Sequence, residues 1–306
     1  MLLIGVFLGL LAALFQSLSY VASGCYVRRT GRPGWTLGAP QRVLTLLPYG
    51  LLAAFLWPPS FQGEGWAIFL CMIGTAVFGL AGDIGLFQAQ RGVEPSRIAS
   101  LQSLKVPIVA LISCFAFSKS YSPLQLLGIA LVICSAAALS HAGSRIGRRA
   151  WAWLAFNTAG YAGSDVCIAI ALTRAAKCCD GVWAASALVV GISGVALAVF
   201  AMPLAAIQWR FARASFPTAG ECLRYAVPFA FFWFVAMIFL LACFALSDVV
   251  MGTIAQSARG VMSVAIGWLL AKKGFADVEG SVSAAVFIRR AVAAALIVLA
   301  MALYAS

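Results

Sequence analysis

Two tetrapeptides carry a cation into the apolar interior of this chain: Gln102-Ser103-Leu104-Lys105 and Gln256-Ser257-Ala258-Arg259. A charged side chain at bilayer depth costs at least about 2.5–3.5 kcal/mol, so it faces a cavity, a partner or a substrate. Gln102 and Lys105 stand three residues apart, as do Gln256 and Arg259, and therefore share a helix face in each copy. An arginine fork bonds carboxylate or phosphate in a planar, bidentate fashion, lysine supplies a mobile point charge, and an amide orients neighbouring oxygens. Gln102, Lys105, Gln256 and Arg259, with the hydroxyls of Ser103 and Ser257 beside them, are thus candidate ligands for a small anionic or zwitterionic solute.

The two copies are in register over a longer stretch. A shift of 154 carries Glu94 to Asp248, Gln102 to Gln256, Ser103 to Ser257, Lys105 to Arg259 and Lys119 to Lys273. Acid, amide, hydroxyl and base recur in order, the mark of an internal duplication. A weaker match at a shift of 141 pairs Gln16 with Asn157, Tyr20 with Tyr161 and Ser23 with Ser164. It adds Tyr20 and Tyr161, at equivalent places in the first helix of each half, to the candidate site. Two acids complete the set. Measured at about 1.5 Å per residue, Asp83 lies at the depth of Lys105 and Asp165 at the depth of Arg259, which makes them candidate ion-pair or proton-coupling partners. Two structural ion pairs would account for all four charges without a substrate, so binding and structural readings both stand at this point.

The elements that must position these residues follow from composition. With 63% hydrophobic and 10% charged residues and a mean hydropathy of +1.01, the chain is far too apolar for a soluble domain. Charged and Pro/Gly-rich punctuation leaves ten apolar stretches, near residues 2–26, 43–57, 66–89, 98–117, 124–142, 151–173, 182–207, 225–246, 251–271 and 284–305. The first is long enough to span and has no basic leader, so it is expected to remain as a helix and not to act as a cleaved signal. An all-α integral membrane fold is predicted, with ten transmembrane helices in two inverted five-helix repeats: residues 1–142, a basic connecting loop 143–150, and residues 151–306. Five helices per half is an odd number, so the second half enters the membrane upside down. The natural site lies at the midplane between the halves.

A net charge of +12 points to topology and not to nucleic acid, because the cations segregate. Arg28, Arg29, Arg32 and Arg42 fall in the first loop, Arg91 and Arg97 in the third, Arg145, Arg148 and Arg149 in the fifth, Arg210, Arg213 and Arg224 in the seventh, and Lys272 and Lys273 in the ninth. The even loops hold Lys119, Arg174 and Lys177. Enzyme chemistry finds little purchase. His141 is the single histidine, so neither a histidine relay nor a multi-histidine metal site can be assembled. The nine cysteines lack metal-ligand spacing, and no glycine loop for phosphate is present, so no cofactor or metal is expected.

Against this background Ser100-Leu101-Gln102-Ser103-Leu104-Lys105-Val106-Pro107-Ile108-Val109-Ala110 and Ser122-Pro123-Leu124-Gln125-Leu126-Leu127-Gly128-Ile129-Ala130-Leu131-Val132 become informative. The proline inside helix four, the short turn and the following Gln and Gly resemble the drug/metabolite transporter superfamily in its ten-helix EamA-like form. Arg42, opening the second helix, is similar to the arginine often found there. The resemblance implies a secondary carrier working by alternating access; plastid triose-phosphate translocators, distant members, similarly use basic residues of their repeats on phosphate. Three departures are specific to this chain: Lys119 stands where the family usually has Glu, helix nine has Gly260-Val261-Met262 in place of a proline, and the loop charges place the termini opposite to several relatives. In helix four, Pro107 is expected to free the Ser103 carbonyl and open a polar pocket beside Lys105. The run from Phe229 to Phe234 reads as packing or lipid-facing.

The sequence thus predicts a secondary active transporter, not an enzyme, in a bacterial inner (plasma) membrane, moving a small anionic or zwitterionic metabolite among membrane lipids, with protons as the candidate coupling ion and no nucleic-acid partner. The alternative is a membrane-embedded lipid transporter or lipid-modifying transferase, with a lipid-like substrate. The odd-loop excess of arginine and lysine places both termini outside the cytoplasm. A reporter active only in the periplasm, fused after Ser306, is therefore expected to be active and a cytoplasm-only fluorescent reporter dark; the reverse pattern refutes the orientation.

Overall fold

The computed structural model describes residues 1–58, 60–93, 95–140, 146–212, 216–272 and 284–306. Among them every regular element is helical: α1 Leu2–Thr30, α2 Trp35–Phe55, α3 Gly65–Ala89, α4 Pro95–Leu101, α5 Lys105–Ala116, α6 Pro123–Ser140, α7 Arg148–Ala175, α8 Val182–Ala212, α9 Ala219–Glu221, α10 Val227–Leu246, α11 Val249–Gln256, α12 Arg259–Lys272 and α13 Ala284–Ala305. Helices α4 and α5 form one span joined by a 3-10 turn at Gln102–Leu104, and α11 and α12 form another, which gives the ten membrane-crossing segments expected of the fold. Among the described residues, six of these are long and apolar enough to span by length and composition. The long helices α2 and α7 are not among them, because they carry the buried polar groups Gln41, Arg42 and Thr45 and Asn157, Thr158 and Asp165.

The spans pair across the centre. Helix α3 packs along α7 and α1 along α10, while α2 lies on α8 and α6 on α13. Exchanging the first five spans for the last five maps this pattern onto itself, as a two-fold relation between halves requires. The polar tetrapeptides sit where the fourth and ninth spans break. Pro107 cannot donate to Ser103, and the helix tightens into the 3-10 turn just before it. The ninth span breaks without a proline: Ala258 N donates to Ala255 O at 3.1 Å and Gly260 N to Ser257 O at 3.3 Å, both bonds of the tighter register.

Helix boundaries correct the sequence reading in one consequential place. Helix α2 begins at Trp35, not near Val43, so Arg42 lies inside the membrane and is 6% exposed; it is no loop cation. Pro40 and Pro48 both sit within α2 and punctuate its apolar run, which is why it read as short. Arg97 likewise belongs to α4 and is buried. Glu94, His141, Arg145, Arg213 and Lys273 lie outside the described residues, and with them most of the connecting loop. The even-loop cations are neutralised locally, Lys119 by Asp248 at 2.7 Å and Arg174 and Lys177 by Glu64 at 2.9 and 2.6 Å. Those two bonds hold the Glu64 carboxyl below the usual carboxylate range.

Close approach of α3 and α7 depends on glycine. A Cβ on Gly160 would lie 2.6 Å from Gly82 N and 2.8 Å from Phe78 O, both backbone atoms that no rotamer change can move. Gly160→Ala is therefore expected to lower thermal stability in detergent by about 1–3 kcal/mol, the cost of overpacking, whereas Gly92→Ala, which meets open space, leaves it unchanged. Equal melting of the two variants refutes this packing.

Candidate functional site

The broken spans bring both cations to one cavity of about 50 Å³. Its wall includes Lys105, Gln256 and Arg259 from the breaks, Tyr20 from α1, and Tyr161 and Asp165 from α7. Asp83 of α3 lines it as well, as do Arg42 and Tyr49 of α2 and Trp233 of α10. Glycines admit the rings: Cβ atoms on Gly82 and Gly194 would lie 2.4 and 2.2 Å from the rings of Tyr161 and Tyr49.

Lys105 is 2% exposed and bonded twice. Its Nζ pairs with Asp165 Oδ2 at 2.5 Å and donates to Gln256 Oε1, which ties the fourth span to the sixth and the ninth. Arg42 pairs with Asp83, whose other oxygen accepts from Tyr161 OH at 2.8 Å. The equal-depth pairing of Asp83 with Lys105 and Asp165 with Arg259 is therefore corrected. Depth alone does not fix the neighbour across a bundle; lateral position places Asp165 beside Lys105, and the unforeseen Arg42 takes Asp83.

Arg259 is left with the one neutral acceptor near it. Its Nη1 donates to Gln16 Oε1 at 2.7 Å, and its guanidinium lies 5.8 Å from the centre of the Tyr20 ring. It is 2% exposed, and its Nε and Nη2 have no hydrogen-bond partner among the described residues. Buried donors on a charged group are seldom left so, because each unmade bond costs about 1–3 kcal/mol. Three cations and two carboxylates line the cavity, and Arg259 carries the uncompensated charge.

The amides form a matched frame behind this wall. Gln102 Nε2 donates to Asn157 Oδ1 at 2.7 Å, and Gln256 Nε2 donates to Gln16 Oε1 at 3.0 Å. The weak shift of 141 that pairs Gln16 with Asn157 thus has a physical counterpart. The frame departs from symmetry at the charges: Gln102 Oε1 accepts from Tyr20 OH at 2.8 Å, while Gln256 Oε1 accepts from Lys105. Gln102 lies outside the cavity wall, as do Ser103, whose hydroxyl has no partner among the described residues, and Ser257, whose hydroxyl bonds back to Thr253 O at 3.1 Å.

Sequence reasoning missed Arg42 and Tyr49 as cavity residues and set Trp233 aside within its aromatic run. Trp233 is 8% exposed and its ring lies 6.3 and 6.2 Å from those of Tyr20 and Tyr161, so the aromatic run is not uniformly lipid-facing; Phe231 is exposed and Trp233 faces inward. Helical phase within the run separates the two, a signal present in the sequence but masked by aromatics on every side.

Comparison with known proteins supplies the frame for this geometry. The model of the EamA-like transporter family matches residues 3–141, the first five spans. No curated protein matches the chain. A solved structure described only as a crystal structure of a protein is similar in fold, with a TM-score of 0.57 at 20% identity over 99% of this chain and 95% of that one. Over residues 3–141 the chain is thus similar to the EamA-like transporter family, membrane transporters of the drug/metabolite transporter superfamily, and its fold is shared with the solved structure along nearly its whole length.

Proposed function

We propose that the protein is a secondary carrier that moves a small anionic or zwitterionic metabolite by alternating access between its two five-helix halves, with the anionic group bound by Arg259. The observation that carries this reading is the pair of buried, partnerless N–H groups of Arg259 on a cavity whose other two cations are already paired. Nε and one Nη of a guanidinium lie on one edge and present parallel donors, the arrangement that fits two oxygens of a carboxylate or phosphate. Gln256, Tyr20 and Tyr161 supply polar edges and ring faces around the bound group. The cavity's 50 Å³ holds only a few atoms beyond a head group, which suits an occluded conformation that must open to load.

Lys105 and Asp165 have a different part in this proposal. Protonation of Asp165 removes the charge that holds Lys105, and the freed ammonium then becomes available to the solute, which couples solute to proton movement. Gln102, Ser103 and Ser257 shape the breaks and the amide frame instead of touching the solute.

Two experiments test the reading. Purified protein screened against carboxylates, phosphates and amino acids is expected to show saturable thermal stabilisation by one anionic class. Arg259→Gln abolishes that stabilisation while folded protein remains in the membrane, and Arg259→Lys weakens it because the planar fork is lost. Undiminished binding and transport by Arg259→Gln refutes the proposal. For the coupling pair, Asp165→Asn is expected to cost about 3–5 kcal/mol by leaving Lys105 buried and unpaired, and the double variant with Lys105→Met recovers most of it. Losses that simply add in this cycle refute the pairing, whereas Asp165→Asn and Arg259→Gln are expected to couple far more weakly.

A further inference from the structure

A second cavity, of about 60 Å³, lies beside the first and shares two residues with it, Arg42 and Asp83. It runs between α2, α3 and α8. Helices α2 and α3 both pack on α8 and scarcely touch each other, so a crevice follows from the packing. Its other walls are apolar: Trp35, Leu80, Ile84 and Phe87 on one side, Ala201, Leu204 and Ala205 on the other. Phe87 caps the end near the start of α2, where a Cβ on Gly34 would lie 2.7 Å and one on Gly38 3.1 Å from its ring. With that end closed, the crevice faces sideways, along the outward surface where Ile84 is 41% and Leu204 42% exposed. In a bilayer such a surface meets acyl chains and not water.

We propose that this crevice is a lateral portal for the apolar tail of the transported solute, gated by the Arg42–Asp83 pair, and that the solute is a single-chain amphiphilic anion. The inference rests on the anion site at Arg259 proposed above and adds to it. The pair is the only partition that lines both cavities, so a tail that reaches from one to the other must pass it. Exposed Arg91, just past α3, and Arg210, in the last turn of α8, lie at the capped end and draw an anionic head group to that side of the membrane. A volume of about 60 Å³ suits one slender alkyl chain better than the two chains of a phospholipid.

A homologous series of alkyl carboxylates and alkyl phosphates, from acetate to octanoate and from methyl to octyl phosphate, separates the head-group site from the portal. Wild-type protein is expected to bind each successive member about fourfold more tightly per methylene buried until the crevice is filled. Ala205→Trp and, independently, Ile84→Trp fill the crevice from opposite walls on a lipid-facing surface. Each should flatten the dependence on chain length while leaving acetate and methyl phosphate binding, and its loss in Arg259→Gln, unchanged. A flat series in the wild type, or an undiminished slope in both tryptophan variants, overturns the portal while leaving the anion site standing. Absence of any stabilisation that depends on Arg259 overturns the anion site, and the portal with it. Displacement of octanoate by phosphatidate in nanodiscs at equal head-group concentration assigns the crevice to bulk lipid and overturns the proposal as stated.

Discussion

Lys105 cannot lie where it does unless charge and acceptors come to meet it. A buried ammonium strongly destabilises a fold when its partner is missing, and here Asp165 from α7 and Gln256 from α11 converge on one nitrogen. Much of the bundle is arranged around that convergence. The 3-10 turn before Pro107 sets Lys105 at the start of a new helix, and glycine at Gly160 lets α7 approach closely enough for Asp165 to share the cavity. The ninth span ends a helix at Gln256 so that the amide, and not a helix flank, faces the nitrogen.

The outer end of the ninth span is fixed in a comparable way. Asp248 caps α11 by accepting from Met251 N at 2.8 Å and simultaneously holds Lys119, whose Nζ also lies 3.0 Å from Tyr304 OH. One carboxylate therefore anchors α11 to the loop after α5 and to α13. The eight residues of α11 are all buried and run directly from this anchor to Gln256. Two buried helical turns thus separate the Lys119 anchor from the partner of Lys105.

The ten spans, the break before Pro107 and the repeated cations were legible in the sequence because they depend on local features: apolar length, Pro107, and a tetrapeptide repeated in register; the break in the ninth span was not, because no proline marks it. Pairing was not, since it depends on which helices are neighbours. Asp83 and Asp165 were recognised as partners for buried cations but assigned to the wrong ones, because depth along the membrane normal says nothing of position around the bundle. Arg42 was lost for a different reason: Pro40 broke the apolar run and placed the arginine on the loop side of a boundary that α2 does not respect. Trp233 was lost because aromatic residues flank it on both sides and hide its helical phase. In each case the missing information was three-dimensional contact, and no local pattern encodes it.

The carboxylates of the cavity come one from each half, from α3 and α7, but at positions that the two-fold relation does not exchange, and the first half adds two cations to the second half's one. In a carrier built from two equivalent halves, the conformation open to one face is the mirror counterpart of the conformation open to the other, and perfect equivalence would make the two equal in energy. Asp83 and Asp165 break that equivalence in the wall of the cavity. At the position equivalent to Asp83 by the 154-residue shift stands Met237, and at the position equivalent to Asp165 by the 141-residue shift stands Gly24. The asymmetry is thus set by two side chains and not by the architecture, and a lineage could redistribute the charge by moving an acid from one half to the other without altering a single helix.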